Sequence, residues 1–141
     1  MKRFSSKPTV YLIDGSNFSL RFWERAAGEK ADELEKAFLT WLGEVSRAEL
    51  LRPSCFRVVF DGPWRKPFST APAITVYYTE SEPADDMLVE RGYFMRNEGI
   101  RAVIVTSDNG LRGRASAEGI QTMNCETFRS LADAELRKEA R

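Results

Sequence analysis

The chain has 141 residues, no formal net charge at pH 7, 43% hydrophobic and 30% charged residues, and no histidine. That balance describes a globular chain with enough apolar material for a core, and it excludes a disordered tract. The missing histidine excludes Ser-His-Asp triads, histidine-ligated zinc hydrolases and any histidine general base, so hydrolysis by this chain has to rest on carboxylates and a metal.

After a short polar lead-in, the β-branched run Thr9 to Asp14 predicts a buried strand. Gly15-Ser16-Asn17 has turn chemistry, and Phe18 to Ala27 reads as a short helix closed near Gly28. Lys30 to Leu51 is the clearest helix: Leu34, Phe38, Trp41, Leu42 and Val45 recur at helical spacing, and Pro53 is the expected stop. Phe56 to Phe60 predicts a second strand, Gly62 to Pro67 a proline-bounded loop, and Ala73 to Tyr78 a third strand. Ser81-Glu82-Pro83 has the pattern of an N-cap followed by a helix-starting proline, opening a helix through Asp85, Asp86 and Leu88 to a stop at Gly99. Ala102 to Val105 is a fourth strand. A short basic helix runs from Asn109-Gly110 to Gly119, Ile120 to Met123 is a short fifth strand, and Asn124 is placed to cap a last helix that buries Phe128, Leu131 and Leu136. Strands alternate with helices, so the expected fold is α/β, with a mostly parallel sheet of about five strands covered by helices on both faces.

Aspartates punctuate this pattern. Val10 to Ile13 runs into Asp14, Val58 to Phe60 into Asp61, and Val103 to Val105 through Thr106 and Ser107 into Asp108, while Asp85-Asp86 opens the helix after the third strand. Of seven aspartates only Asp32 and Asp133 lie elsewhere, in charged helical stretches. The carboxyl ends of parallel strands line the ligand crevice of an open sheet. Like charges gathered there are costly unless a cation sits among them. Aspartate is also a common turn and cap residue, so the recurrence carries the argument and no single position does. A carboxylate-only site suits Mg²⁺ or Mn²⁺ and phosphoryl chemistry. Asn17 can orient Asp14 or hold the turn. Ser107 can donate a hydrogen bond beside Asp108, or Thr106 and Ser107 can cap the helix that follows.

Basic residues flank the acids. Arg65 and Lys66 follow Asp61 beside Trp64 and Phe68, Arg112 and Arg114 follow Asp108, and arginines outnumber lysines fifteen to six. Aromatic and arginine side chains on one loop suit single-stranded RNA, though solvated basic surface has the same composition. No apolar run has membrane-spanning length and no signal-peptide core opens the chain. Cys55 and Cys125 form no metal-ligand spacing, so the expectation is a cytoplasmic single domain over residues 1–141, with reduced thiols.

Tyr11-Leu12-Ile13-Asp14-Gly15-Ser16-Asn17, Val58-Val59-Phe60-Asp61, Glu82-Pro83-Ala84-Asp85-Asp86 and Val105-Thr106-Ser107-Asp108 occur in this order. The ordered set resembles the NYN domains of the PIN-like superfamily, in their YacP-like branch, over nearly the whole chain. The resemblance implies a PIN-like three-layer α/β/α sandwich and metal-dependent ribonuclease activity. On it, the family's first acid falls on Asp14 and its following asparagine on Asn17. The strand-two acid falls on Asp61, the helix acid on Asp85 or Asp86, and the last acid on Asp108. Ser16 stands where the branch often has an aromatic residue.

The combined expectation is a Mg²⁺- or Mn²⁺-dependent endoribonuclease. Asp14, Asp85 and Asp108 are its ligands, Asp61 completes the acidic pocket, and Asn17, Ser107 and Asp86 support it. Arg65, Lys66, Arg112 and Arg114 contact the RNA. Adjacent helix positions point ~100° apart, so Asp85 and Asp86 cannot aim equally well at one cation. The family pattern favours Asp85, leaving Asp86 to the helix N-terminus. The rival readings are an RNA-binding or partner-binding module with a non-catalytic pocket, and a phosphatase or receiver-like domain. The phosphatase wants a second acid two residues after Asp14, where Ser16 stands. A homodimer is compatible with the sequence.

Overall fold

The apolar runs form five strands: β1 (Val10–Asp14), β2 (Cys55–Phe60), β3 (Ile74–Tyr78), β4 (Ala102–Val105) and β5 (Gln121–Met123). All pairings are parallel, in the order β3-β2-β1-β4-β5. The computed structural model describes residues 3–23, 31–68 and 71–140. The expected end of the first helix, Ala27 and Gly28, lies outside the described residues.

The central strands are apolar on both sides because helices cover both faces. Side chains alternate along a strand, so each strand feeds two cores. Tyr11, Ile13, Phe56, Val58, Phe60, Val103 and Val105 face one layer, and Leu12, Val59 and Ile104 face the other. The first layer holds α1 (Gly15–Trp23), α2 (Ala31–Ser46) and α5 (Cys125–Glu139); the second holds α3 (Ala84–Asn97) and α4 (Asn109–Ala117).

The layers follow from the path of the chain. It steps β1, β2, β3 in one direction, with its connections on the α1 and α2 side. It then crosses by α3 to β4, on the other side of β1, and continues outward through α4 to β5. With crossovers of one hand, reversing direction puts the second pair of connections on the opposite face. The reversal falls between β1 and β4, the place where open α/β sheets bind ligands.

Phe128 of α5 meets Phe4, Tyr11, Phe18, Trp41 and Phe56 edge-on in the first core. Asp133 ties α5 to α2 by accepting from Trp41 Nε1 at 2.9 Å, and Arg129, whose guanidinium lies 4.6 Å from the centre of the Trp23 ring, holds Asp133 at 3.1 Å. Among the described residues no helix is long and apolar enough to cross a membrane.

Three helix boundaries depart from expectation. α1 begins at Gly15, because the carboxylate of Asp14 accepts from the Asn17 N–H and so starts the helix at once. α2 ends at Ser46 rather than Leu51: the Ser46 hydroxyl donates back to the Gly43 carbonyl at 2.7 Å, and Glu49–Leu51 forms a separate 3₁₀ turn ahead of Pro53. Ser81 does not cap α3, which has Pro83 at its N-cap position and no side-chain cap. Asn124 caps α5 as expected, accepting from the Thr127 N–H at 2.7 Å.

Two glycines make opposite predictions. A Cβ at Gly15 would lie 2.7 Å from both Phe60 and Val58, so Gly15→Ala is expected to destabilise by roughly 1–3 kcal/mol. At Gly43, inside α2, a Cβ would meet only the end of Arg47 at 3.8 Å, so Gly43→Ala is expected to stabilise by roughly 0.5–1 kcal/mol. Urea denaturation of the two variants checks both signs.

Candidate functional site

Strand register determines which acids can meet. Asp14 follows Leu12 by two residues, and Thr106 follows Ile104 by two, so both continue toward the α3 side of the sheet. Asp61 follows Val59 by the same step, one residue past β2. α3 opens on this side with Asp85 and Asp86 in its first turn.

The turn Asp14-Gly15-Ser16-Asn17 ties the ends of β1, β2 and β4 together. The Asp14 carboxylate accepts from the Asn17 N–H at 3.4 Å and from the Thr106 hydroxyl at 3.1 Å. The Ser16 hydroxyl accepts from the Asp61 N–H at 3.0 Å. Asn17 Oδ1 accepts from the Ser107 N–H at 3.0 Å and from the Cys125 thiol at 3.4 Å. Burial pushes that thiol up to about 11, so it stays protonated as a donor at neutral pH. Ser16 thus supplies a tie to the end of β2.

The acids feel one another. Asp14 is 6% exposed, and loss of water pushes its carboxyl from 3.8 up to about 6. Hydrogen bonds from Asn17 and Thr106 oppose this rise, and the charges of Asp61 and Asp85 add to it. Half-buried Asp85 is raised as well, first by burial and then by Asp108; Arg114 opposes, while Asp61 and Asp86 contribute further. Asp14, Asp61, Asp85 and Asp108 therefore share one electrostatic neighbourhood at the carboxyl edge of the sheet. Among the described residues, no three or more acidic or thiol side chains are arranged to hold a metal ion directly. The donor chemistry still fits a hard cation. Mg²⁺ is commonly held by one or two carboxylates, with its remaining positions filled by water and substrate oxygens.

The supporting residues divide differently from the sequence expectation. Asp108 is exposed and caps α4, accepting from the Leu111 N–H at 3.0 Å, which commits one of its oxygens. The Ser107 hydroxyl turns toward α5, accepting from the Cys125 N–H and donating to Glu126, each at 2.9 Å. Thr106, expected only as a cap, is the residue that reaches Asp14. Its period-two spacing from Ile104 was the available signal. Glu126 also pairs with Arg21 at 2.6 Å, a tie between helices that no local pattern marks.

Asp86 is exposed and pairs with Arg114 at 2.9 Å, across α3 and α4. No side chain caps α3, so the placement of Asp86 is set by that arginine more than by the helix end. Arg112 leans on Thr122 at 3.5 Å, and Lys66 is exposed. Arg65, expected as an RNA contact, is partly exposed and has its guanidinium engaged by groups of the protein itself. It forms an ion pair with buried Glu35, donates to the Pro63 carbonyl at 2.9 Å and stacks 4.3 Å from the centre of the Tyr78 ring.

A family model for YacP-like NYN domains matches residues 11–140. The chain belongs to the YacP-like NYN domain family. The match runs from β1 to just past α5, so every residue of the strand-end turns falls inside the YacP-like region. Two crystal structures of Rae1 (YacP) from Bacillus subtilis are similar in fold. One aligns with TM-score 0.72 at 19% identity, over 93% of this chain and 77% of that one. The other, of a point variant, aligns with TM-score 0.74 at 17% identity, over 92% of this chain and 78% of that one. No curated protein matches.

Asp14 makes stability depend on pH in this YacP-like domain. Its folded value of about 6 lies above the ordinary 3.8. The resulting penalty is absent below pH ~4, grows between pH ~4 and ~6, and is full above that range. Without added metal, Asp14→Asn is expected to gain up to about 3 kcal/mol over the parent at pH 7, less one hydrogen bond that the amide cannot accept. At pH ~4 the advantage should vanish. Urea denaturation at the two pH values is the check.

Proposed function

We propose that this YacP-like NYN domain is a ribonuclease that hydrolyses RNA phosphodiester bonds with Mg²⁺ or Mn²⁺. The observation that carries the reading is the gathering of carboxylates at the reversal point of the sheet: buried Asp14, held by Thr106, lies within the fields of Asp61 and Asp85, and Asp85 within those of Asp108 and Asp61. Family membership supports an RNA-related nuclease function.

Asp14, Asp85 and Asp108 would hold the cation between them, one or two of them directly and the rest through its bound water, with Asp61 closing the pocket. When bound, it supplies positive charge to the phosphodiester and acidifies the attacking water. The protein's own part is to aim and to exclude. Thr106 and Asn17 fix the Asp14 carboxylate from two sides, so its orientation does not depend on a ligand. Asn17 also joins the β1 turn to the β4 turn, holding the Asp14 and Asp108 segments at one separation. With no histidine in the chain, proton transfer falls to carboxylates and water. Net charge is zero, so attraction of RNA is local, through Lys66, Arg112 and Arg114. Arg114 can leave Asp86 for a phosphate at little cost, because an exposed ion pair contributes only ~0–1 kcal/mol.

Labelled single-stranded RNA, incubated with the pure protein plus Mn²⁺ or Mg²⁺, should be cleaved, and chelator should stop the cleavage. The same ions should raise the thermal midpoint of the parent, since binding to the native state alone stabilises it. Asp14→Asn and Asp108→Asn should remove that rise. Asp85→Asn should lose at least the roughly 10–100-fold typical of residues that support a metal, whereas Asp86→Asn should keep most activity. A parent midpoint unmoved by metal, together with intact RNA, overturns the proposal. Metal binding and RNA binding without cleavage would favour a non-catalytic RNA-binding module.

A further inference from the structure

Trp64 is the most exposed large apolar side chain among the described residues, at 66%. Within those residues it has no ring contact, hydrogen bond or cation beside it. Trp23 and Trp41, by contrast, are packed against the aromatic core of the first layer. An indole left in water beside a candidate site gives up apolar burial that a ligand could recover.

The loop that carries it is braced on both sides. The Gly62 N–H donates to the Thr79 hydroxyl at 3.1 Å, and the Glu80 N–H donates to the Gly62 carbonyl at 2.9 Å. Arg65, the next residue after Trp64, is clamped by Glu35 and Tyr78 and donates to the carbonyls of Pro63 at 2.9 Å and Asp61 at 3.4 Å. Arg65 thus turns inward while its neighbour stays out in solvent. A platform held this way is ordered before anything binds, so little entropy is lost on binding.

Its position fits a polymer crossing the acids. Asp61, one of the four carboxylates of the pocket, is three residues before Trp64. Their Cα atoms therefore lie no more than about 11 Å apart. Lys66 is exposed two residues further on, and Lys36 sits 5.6 Å from the centre of the half-exposed Phe68 ring on the same loop. Aromatic faces beside cations suit single-stranded nucleic acid, because every base has a π-face and every linkage a charge.

We propose that Trp64 is the stacking platform for an unpaired nucleobase of an RNA strand that passes over the acid pocket, with Lys66 taking a neighbouring phosphate. The proposal rests on the ribonuclease reading above and adds the substrate's form: the strand has to be single where it meets the loop.

The test is binding of a short labelled single-stranded RNA in chelator, so that no cleavage occurs, beside an abasic oligonucleotide with the same number of phosphates. Trp64→Ala is expected to weaken RNA binding roughly 5- to 150-fold and to leave abasic binding unchanged. Trp64→Phe should restore most of the loss. The salt slope should be unaltered in both Trp64 variants, while Lys66→Ala lowers it by about one. RNA should quench the tryptophan fluorescence of the parent and not that of Trp64→Phe. Equal RNA binding by parent and Trp64→Ala overturns the platform, and so does equal weakening on both oligonucleotides. In either case cleavage by the parent leaves the ribonuclease reading standing. A parent that neither binds nor cuts RNA overturns the ribonuclease reading, and the platform with it.

Discussion

The site is organised around the hydrogen bond between two buried side chains, Asp14 and Thr106, at the ends of adjacent strands. A carboxylate cannot be buried without a donor, and a buried hydroxyl needs a partner. Each meets the other's requirement. Because β1 and β4 flank the reversal of the sheet, this one bond closes the place where the chain's two directions of winding part. Asn17 and Ser16 extend the tie to Ser107 and to Asp61. Four consecutive residues thereby hold the acid-bearing ends of β1, β2 and β4.

This arrangement works against folding at neutral pH. Burial and two neighbouring carboxylates all disfavour the charged form of Asp14, and only two hydrogen bonds support it. A domain seeking stability alone would neutralise that position. Retaining a destabilising charge at a sheet edge is the expected signature of a binding or catalytic site, where strain in the free protein is relieved by the ligand. The same logic separates Asp85 from Asp86. Asp85 is half-buried and disfavoured as a charge first by burial and then by Asp108, while Asp86 is exposed and answered by Arg114.

Cations are assigned with equal economy. Arg65 sits in a carboxylate and aromatic clamp and braces the loop after β2, while Lys66 and Trp64 on that loop stay in solvent. A fork-shaped guanidinium is suited to such a clamp because it can bond in its plane and stack on a face at once. The outcome is a loop braced by internal bonds with an exposed indole and ammonium, a few residues from Asp61.

The sequence by itself determined the five strands, the presence and order of the five helices, the two-sided core and the recurrence of aspartate at strand ends. These are local quantities: the side-chain period of a strand, the spacing of apolar residues in a helix, and the chemistry of turns and caps. Even the family resemblance rests on short ordered segments of this kind. Tertiary structure alone decided which polar groups meet. Thr106 lies ninety-two residues from Asp14, Arg65 lies thirty from Glu35, and Arg114 lies twenty-eight from Asp86. No period or composition encodes such pairs. They come from parallel register, which brings distant strand ends side by side, and from the reversal of winding that sets α3 against the β1–β4 edge. That is why four acids could be picked out along the chain, while the hydroxyl holding the deepest of them, and the arginine turned inward, could not.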